Sequence, residues 1–241
     1  MNTLSNAQTP ENNRRELGIG GNISITNNGF SNIPSFSLGK PATVINLTVA
    51  GKRLSFEPEL RFSLEGKPWS FLFWGRYKVV NTQKYLLGVG LHPGFNFKTE
   101  HSIVNNIESD YIVTRRYVTG EINQVVNLTK TINTSVYYMY GRGLDEGAAR
   151  HTHYLALRAG FNSVRLSKEV VLRINPQLFF LNTAYKNGVY VASSISVVKR
   201  NWPVYLGAML NKAIKTDIPS KDFNWNISLN YTFGKTYKTP N

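Results

Sequence analysis

Apolar and polar residues alternate with a period of two along most of this chain. In residues 54–64 every even position is apolar and every odd position is polar, and residues 223–233 repeat the pattern with odd positions apolar. Side chains alternate between the two faces of a β-strand with this period. A helical period of 3.6 residues is not seen. The chain is therefore predicted to be all-β.

Twelve strands are predicted, and the links between them fall into two sets. The strands cover 20–27, 42–50, 54–64, 69–80, 85–97, 109–128, 131–141, 150–163, 170–180, 188–199, 202–212 and 223–233. One set of links is tight (51–53, 81–83, 129–130, 164–167 and 200–201). The other contains the long loops (28–41, 65–68, 99–108, 142–149, 183–187 and 213–221). This alternation predicts an up-and-down antiparallel barrel with both termini at the end that carries the tight turns.

The apolar face of these strands is zoned. Aliphatic residues such as Leu60 and Leu229 occupy the middle, and aromatic residues lie towards the strand ends. Two aromatic belts around an aliphatic band match the interfaces and hydrocarbon core of a bilayer. The apolar face is therefore predicted to face lipid. The predicted girdle comprises Trp69, Phe71, Phe97, Tyr138, Phe223, Trp225, Tyr231 and Phe233.

Composition excludes several other classes of protein. The 241 residues include no cysteine, which excludes disulfides, cysteine-based zinc sites and thiol catalysis. No apolar run is long enough for a transmembrane helix. The net charge is +14, but the basic residues are scattered and form no nucleic-acid-binding motif. Residues 1–18 are predicted to be an N-terminal tail or signal-peptide remnant, 19–233 the barrel, and 234–241 a periplasmic C-terminal tail.

The last strand resembles the terminal strand of bacterial outer-membrane β-barrels, which the barrel-assembly machinery reads. It is FNWNISLNYTF, with Phe233 as its aromatic end, although many such barrels stop at that aromatic. The Asn- and Lys-rich composition and the SNAQ stretch resemble Bacteroidota sequences. The resemblance implies a Gram-negative outer-membrane location, periplasmic termini, and lipid and lipopolysaccharide as surroundings. Lys and Arg at the rims suit the phosphates of lipopolysaccharide.

The opposite face of the strands carries ionisable residues that would line the lumen. Glu57 is predicted to lie opposite Arg76, and Arg158 near Arg173. Trp74 and Arg76 are predicted to lie opposite Gly90 and Gly88, which leave them room. The predicted lumen charge network is Glu57, Glu59, Arg61, Arg76, Glu121, Arg158 and Arg173, with Trp74 and His92 as lumen packing residues.

Histidines offer the only candidates for catalysis. His151 and His153 share one face of a strand near its outer end, and a lipid hydrolase would need a hydroxyl and an acid beside them. Thr152 points to the other face, and Asp145 lies in the preceding loop. The two histidines are therefore interpreted as interfacial residues among polar headgroups and not as catalytic residues. His92 is interpreted as a hydrogen-bonded interior residue, since no second ligand has metal-binding spacing on its strand.

The sequence thus predicts a monomeric outer-membrane barrel without enzymatic activity, metal or cofactor. It would act as a narrow, anion-preferring pore or as a structural or accessory component, alone or with membrane-protein partners, and without binding nucleic acid. Bulky lumen residues and an excess of bases over acids favour the narrow pore. Two alternatives remain: an outer-membrane lipid-modifying hydrolase with a histidine at the outer rim, and a soluble lipid-binding β-barrel.

Overall fold

A computed structural model describes residues 16–104 and 107–238 and contains twelve strands. They are β1 (Glu16–Thr26), β2 (Ala42–Ala50), β3 (Leu54–Ser63), β4 (Pro68–Asn81), β5 (Tyr85–Val104), β6 (Ile107–Asn127), β7 (Ile132–Gly143), β8 (Thr152–Arg165), β9 (Val170–Thr183), β10 (Lys186–Lys199), β11 (Val204–Thr216) and β12 (Phe223–Lys238). Each strand pairs with its neighbours in the sequence, and β1 pairs antiparallel with β12. The result is the predicted closed up-and-down barrel of twelve strands.

The barrel has a turn end and a loop end. The turn end carries the links 51–53, 82–84, 128–131, 166–169 and 200–203, together with the first residues of β1 and the last of β12. The loop end carries the links 27–41, 64–67, 144–151, 184–185 and 217–222. The longest of these, loop L1 (residues 27–41), contains one short 3-10 turn at Pro34–Phe36. No helix in the described ranges is long and apolar enough to cross a membrane.

Both terminal strands are longer than predicted. Glu16 pairs with Lys238, so residues 16–18 and 234–238 form part of the barrel wall and are not tails. Backbone pairing between the two strands continues past Phe233, where the alternation of apolar residues ends. The interpretation of residues 1–15 as a signal remnant lies outside the described residues, as do residues 239–241.

Two predicted loops are largely strand. Most of the predicted 99–108 loop belongs to β5 and β6, which continue to pair with each other as far as Val104 and Ile107. The predicted 183–187 loop shrinks to the two residues Ala184 and Tyr185, with φ of 49° and 63°. Positive φ at both central residues is the geometry of a tight hairpin turn, which non-glycine residues rarely adopt. The predicted division into long and short links is therefore only partly correct.

The apolar face of the strands points outward. Leu91, Leu157, Leu206 and Ile227 lie on this face, and each exposes more than half of its surface. A soluble lipid-binding barrel buries such residues and exposes polar ones. This barrel does the reverse, because its lumen holds the buried polar residues His92, Asn96, Thr119 and Glu121. The alternative of a soluble barrel is therefore wrong.

Candidate functional site: the barrel lumen

Loop L1 folds into the lumen from the loop end. Its neck is closed by hydrogen bonds between Gly29 and Lys40 and between Leu38 and Gly29, and Phe30 is buried beyond it. The Asn32 amide donates to the Tyr154 hydroxyl (3.4 Å) on β8. L1 was predicted to be an ordinary outer loop, and the structure instead makes it part of the lumen.

Further hydrogen bonds fix L1 to other parts of the wall. The indole of Trp69 on β4 donates to the Phe36 carbonyl (2.8 Å), and the amide of Asn211 on β11 donates to Asn32 Oδ1 (3.2 Å). Gly29 permits the close approach, since a Cβ at this position would lie 3.0 Å from the Trp69 ring. The loop is thus attached to widely separated strands across the bore.

Trp69 is not a girdle residue, contrary to the prediction. Arg61 pairs with Ser70 and Phe62 pairs with Pro68, so Trp69 is an extra residue in β4. Such a β-bulge shifts the alternation of side chains locally. The Trp69 side chain therefore points inward and is only 3% exposed. The remaining predicted girdle residues are on the outer face: Phe71, Phe97, Tyr138, Phe223, Trp225, Tyr231 and Phe233.

One side of the lumen, which we call the charged wall, is formed by β3–β6 around Arg76. Its guanidinium pairs with Glu57 and with Glu121, the latter at 2.6 Å. The Tyr137 hydroxyl donates to the other Glu121 oxygen (2.7 Å), and the Trp74 ring lies 4.3 Å from the guanidinium carbon. Glu121 is nearly buried, so these donors replace the water that its charge would otherwise require.

The observed register between β3 and β4 differs from the predicted one by two residues. Glu57 lies opposite Trp74, and Arg76 lies opposite Ser55, so the Glu57–Arg76 pair is diagonal. Arg76 is also opposite Gly90, whose missing side chain leaves room for the Glu121 carboxylate: a Cβ there would lie 2.8 Å from it. Gly90 therefore leaves space for the Glu121 carboxylate as well as for Arg76.

The other members of the charged wall lie on either side of Arg76. Arg61 pairs with Glu59 two residues earlier on β3, and its guanidinium lies 4.9 Å from the Trp69 ring centroid. His92 packs against Trp74 with ring centroids 4.0 Å apart and is only 5% exposed. No hydrogen-bond partner for His92 Nδ1 is present among the described residues, which differs from the predicted hydrogen-bonded histidine.

The opposite side of the lumen, which we call the amide wall, is formed by β7–β10. Towards the loop end it carries a buried stack of aromatic rings: Phe179 lies 4.8 Å from Tyr154 and 4.9 Å from Tyr190. Below this stack, Arg158 lies 3.9 Å from the Tyr137 ring and donates to Gln177 Oε1 (3.2 Å). No carboxylate among the described residues forms an ion pair with this arginine.

Arg158 and Arg173 are not neighbours, contrary to the prediction. Arg158 pairs with Gln177, whereas Arg173 lies four residues earlier on β9 and pairs with Ser196 of β10. An irregularity between Phe161 and Val164 shifts the β8–β9 register. Within the described residues neither arginine forms an ion pair, whereas Glu57, Glu59 and Glu121 each do.

Three cavities in the described part of the lumen border L1. One of about 370 Å³ lies beside β12 and β1–β3, one of about 630 Å³ lies between the charged wall and Tyr154, and one of about 380 Å³ lies against the amide wall. Phe30 borders the first two, Asn32 borders the last two, and Met209 borders all three. The tip of L1 and Met209 therefore narrow the bore where the cavities meet.

The two rim histidines face outward and bond to tyrosines. His151 precedes β8, and its Nδ1 lies 2.7 Å from the Tyr140 hydroxyl; His153 Nδ1 lies 2.8 Å from the Tyr138 hydroxyl. Among the described residues, no serine, threonine or carboxylate is hydrogen-bonded to either ring. The same part of the chain contains no cluster of three or more histidine, aspartate or glutamate side chains suited to a metal ion.

A closed antiparallel barrel with an apolar exterior and a polar lumen is an integral outer-membrane β-barrel, because closure leaves no unpaired backbone in the bilayer. The predicted Gram-negative outer-membrane location follows from this fold and its lipid-facing band.

Solved structures of porins and channels share this architecture. The chain is similar to the KdgM porin (TM-score 0.53, 9% identity) and to the KdgM porin in complex with disordered oligogalacturonate (TM-score 0.51, 10% identity), each over 90% of this chain and 99% of that one. It is also similar to an outer-membrane channel from Pseudomonas putida F1 (TM-score 0.48, 11% identity) over 95% and 100% of the two chains. No protein-family model and no curated protein matches the sequence. At these identities the likeness shows the fold alone.

Sequence reasoning missed two lumen features that left signals. The link 27–41 contains Phe30, Ile33 and Phe36, apolar residues that a fully solvated loop does not require. The run 178–181, Leu-Phe-Phe-Leu, is apolar on both faces of β9. Both signals indicate apolar packing inside the lumen near the loop end.

Proposed function

We propose that this protein is a narrow, anion-preferring pore of the outer membrane. The fold supports a pore because the interior is polar and contains cavities of about 370, 630 and 380 Å³. Loop L1 and Met209 support a narrow pore, because they constrict the bore where the cavities meet. We place the turn end and both termini on the periplasmic side, as is usual for short turns in such barrels.

The arrangement of charges supports the preference for anions. Arg61 and Arg76 are engaged by the carboxylates of the charged wall, so their fields are largely cancelled locally. Arg158 and Arg173 have no carboxylate partner among the described residues. Uncompensated cations in a constricted pore lower the energy of a passing anion and raise that of a cation. These two arginines are the observation that carries the proposal.

Planar-bilayer recording of the refolded protein tests the proposal. We expect a low single-channel conductance and, under a potassium chloride gradient, a reversal potential with the sign of chloride preference. A large, stable, cation-selective conductance would overturn both parts.

A matched pair of variants tests the role of L1. Trp69→Phe removes the hydrogen bond to Phe36 while keeping an aromatic ring, and should increase the conductance or its fluctuation. Trp225→Phe on the outer face removes an indole without touching L1 and should not change the conductance. Equal conductances in both variants would show that L1 does not limit the pore.

Absence of enzymatic activity stays part of the proposal. Catalysis at the rim would require an acid to orient His151 or His153 and a hydroxyl or water for it to activate, and each ring is hydrogen-bonded to a tyrosine hydroxyl with no carboxylate partner among the described residues. A lipid-hydrolysis assay of the protein in lipopolysaccharide-containing vesicles should show no activity. Hydrolysis that disappears in His151→Ala or His153→Ala would favour the hydrolase alternative.

The remaining partners are also proposals. Basic residues at the loop-end rim, such as Arg142 and Arg150, suit the phosphates of lipopolysaccharide. The barrel-assembly machinery would recognise β12, whose Phe233 ring faces outward.

A further inference from the structure

The cavity of about 380 Å³ differs from the rest of the lumen in its chemistry. It spans β7–β10 on the turn side of L1, with Asn32 at its boundary. Its polar lining includes Asn133, Ser135, Arg158, Asn175, Gln177 and Ser194, and none of the described residues lining it is acidic. The neighbouring cavity of about 630 Å³ contains three glutamates. Arg158 borders both cavities, and in this one no acidic lining residue among those described competes with an anion for it.

Arg158 is held ready for such an anion. Its Nε donates to Gln177 Oε1 (3.2 Å), and its guanidinium lies 3.9 Å from the centroid of the Tyr137 ring. These contacts fix the plane of the group, and no carboxylate among the described residues forms an ion pair with it. A guanidinium fixed in this way can bind a carboxylate through two parallel hydrogen bonds.

The surrounding amides retain both donors and acceptors. The Gln177 Oε1 atom accepts hydrogen bonds from Arg158 and Tyr154, which leaves the NH2 group of Gln177 to donate to a ligand. Asn175 donates to Ser194 Oγ (3.3 Å), which leaves its own oxygen to accept. A ligand hydroxyl both donates and accepts, so this mixture suits several hydroxyls at once.

Gly160 provides the space for these groups. It lies opposite Asn133 in the β7–β8 ladder, and a Cβ at this position would come within 2.6 Å of the Asn133 side-chain oxygen. Asn133 can therefore lie across the glycine at the edge of the cavity, and its amide has no hydrogen-bond partner among the described residues.

We infer that this cavity binds a small polyhydroxylated carboxylate of the size and chemistry of a monomeric sugar acid. The carboxylate lies on Arg158 and the hydroxyls on Asn133, Asn175 and Gln177. The volume is within the range of about 300–1,000 Å³ that is usual for small-molecule sites. The inference rests on the proposed function, since it names a solute class for the proposed pore.

Calorimetric titration of the refolded protein in detergent micelles tests the site without requiring permeation. D-Glucuronate should bind saturably. D-Glucose has the ring without the carboxylate, and acetate has the carboxylate without the ring hydroxyls, so both should bind at least tenfold more weakly. Binding of glucose as tight as that of glucuronate would overturn the role of the carboxylate. Equal binding of acetate would overturn that of the hydroxyls, and no saturable glucuronate binding would overturn the site.

Three substitutions locate the site. Arg158→Gln should weaken glucuronate binding at least tenfold, and Asn175→Asp should also weaken it by placing a carboxylate in the cavity. Arg173→Gln removes the same charge from the same wall outside the cavity and should weaken binding far less. Heat-modifiable gel mobility identifies the folded barrels; if Arg158→Gln does not fold, Asn175→Asp decides. Equal effects of Arg158→Gln and Arg173→Gln would overturn the site in favour of a diffuse field.

Failure of the site and failure of the pore are distinguishable. A cation-selective pore that binds glucuronate through Arg158 would contradict the proposed function and retain the site. An anion-selective pore with no saturable glucuronate binding would do the opposite.

Discussion

The two walls of the lumen both contain arginines, but they surround them with different groups. In the charged wall, arginines and glutamates form ion pairs, and Arg76 holds two carboxylates at once. In the amide wall, Arg158 is held by an amide oxygen and a tyrosine ring, which orient it without cancelling its charge. The glutamates lie in the charged wall, whereas no described residue that lines the amide-wall cavity is acidic. An arginine without a carboxylate partner, rather than the total number of bases, determines which wall can attract an anion.

The largest expected effect is a loss of folding stability, and it should be the same when a charge is placed on the lipid face of either wall. Leu91→Arg on β5 and Leu157→Arg on β8 place a charge on the lipid face behind the charged and amide walls respectively, and each should cost about 2–4 kcal/mol of folding stability in bilayers. The measurement is equilibrium unfolding in lipid vesicles. Ser196→Arg, facing the cavity of about 370 Å³, is the lumen control and should cost much less. Unequal costs for the two leucines would show that the walls differ in more than their lumen faces.

A smaller loss of stability should separate the carboxylates of the charged wall. Glu121→Gln removes a nearly buried partner of Arg76 and should cost about 2–3 kcal/mol, less than a fully buried pair because the Arg76 side chain is 32% exposed. Glu57→Gln should cost about 1 kcal/mol or less, since Glu57 is 31% exposed and Arg76 keeps Glu121. Urea titration of both variants checks the order. If Glu57→Gln costs more, Arg76 depends on a different partner.

Ion selectivity should respond to the amide wall without a comparable loss of stability. Arg158→Gln should move the reversal potential towards that of a cation-preferring pore. Replacing Glu59 and Arg61 together by glutamine removes one acid and one base that already pair with each other, and should leave it nearly unchanged. A similar shift in both variants would mean that paired charges also contribute to the field in the bore.

The smallest effect concerns an ion pair outside the lumen. Asp145 in the 144–151 loop accepts from the Arg116 backbone and guanidinium, and these hydrogen bonds hold the Asp145 pKa below its usual range. The lowered pKa stabilises the folded loop at pH values above the usual aspartate pKa, and this contribution is lost as the pH falls through the lowered value. Hydrogen exchange at the Arg116 amide should therefore be constant between pH 5 and 8 after correction for intrinsic rates. Asp145→Asn should accelerate it at every pH.

Alternation of side chains was enough to predict the twelve strands, because the strands depend only on a period of two, and the aromatic belts around an aliphatic band indicated that the apolar face meets lipid. Alternation failed at Trp69, where one extra residue in β4 reverses the local direction of the side chains. A bulge has no reliable signature in a single sequence. Side-chain pairing in the lumen was predicted less well for a related reason: a shift of two residues preserves the faces but changes the partners, as at Arg76 and Gly90.

The position of L1 depends on contacts that no local pattern records. Its apolar residues indicate that something covers them, but the covering strands are distant in the sequence. The amide-wall cavity was not predicted for the same reason, since it combines side chains from five strands with the boundary residue Asn32. Arg158 was recognised as a lumen residue, whereas its position opposite Gln177, without an ion pair among the described residues, follows only from the observed register.

The attachment of L1 also has a consequence for the order of assembly. Asn32 lies 122 residues from Tyr154 and 179 residues from Asn211 along the chain, yet its hydrogen bonds require β8 and β11 to be in place. Contacts of such large sequence separation form late, because the loop entropy of the intervening chain must be overcome first. The segment that narrows the bore is therefore expected to reach its final position after most of the wall has formed, and the bore to be wider until then.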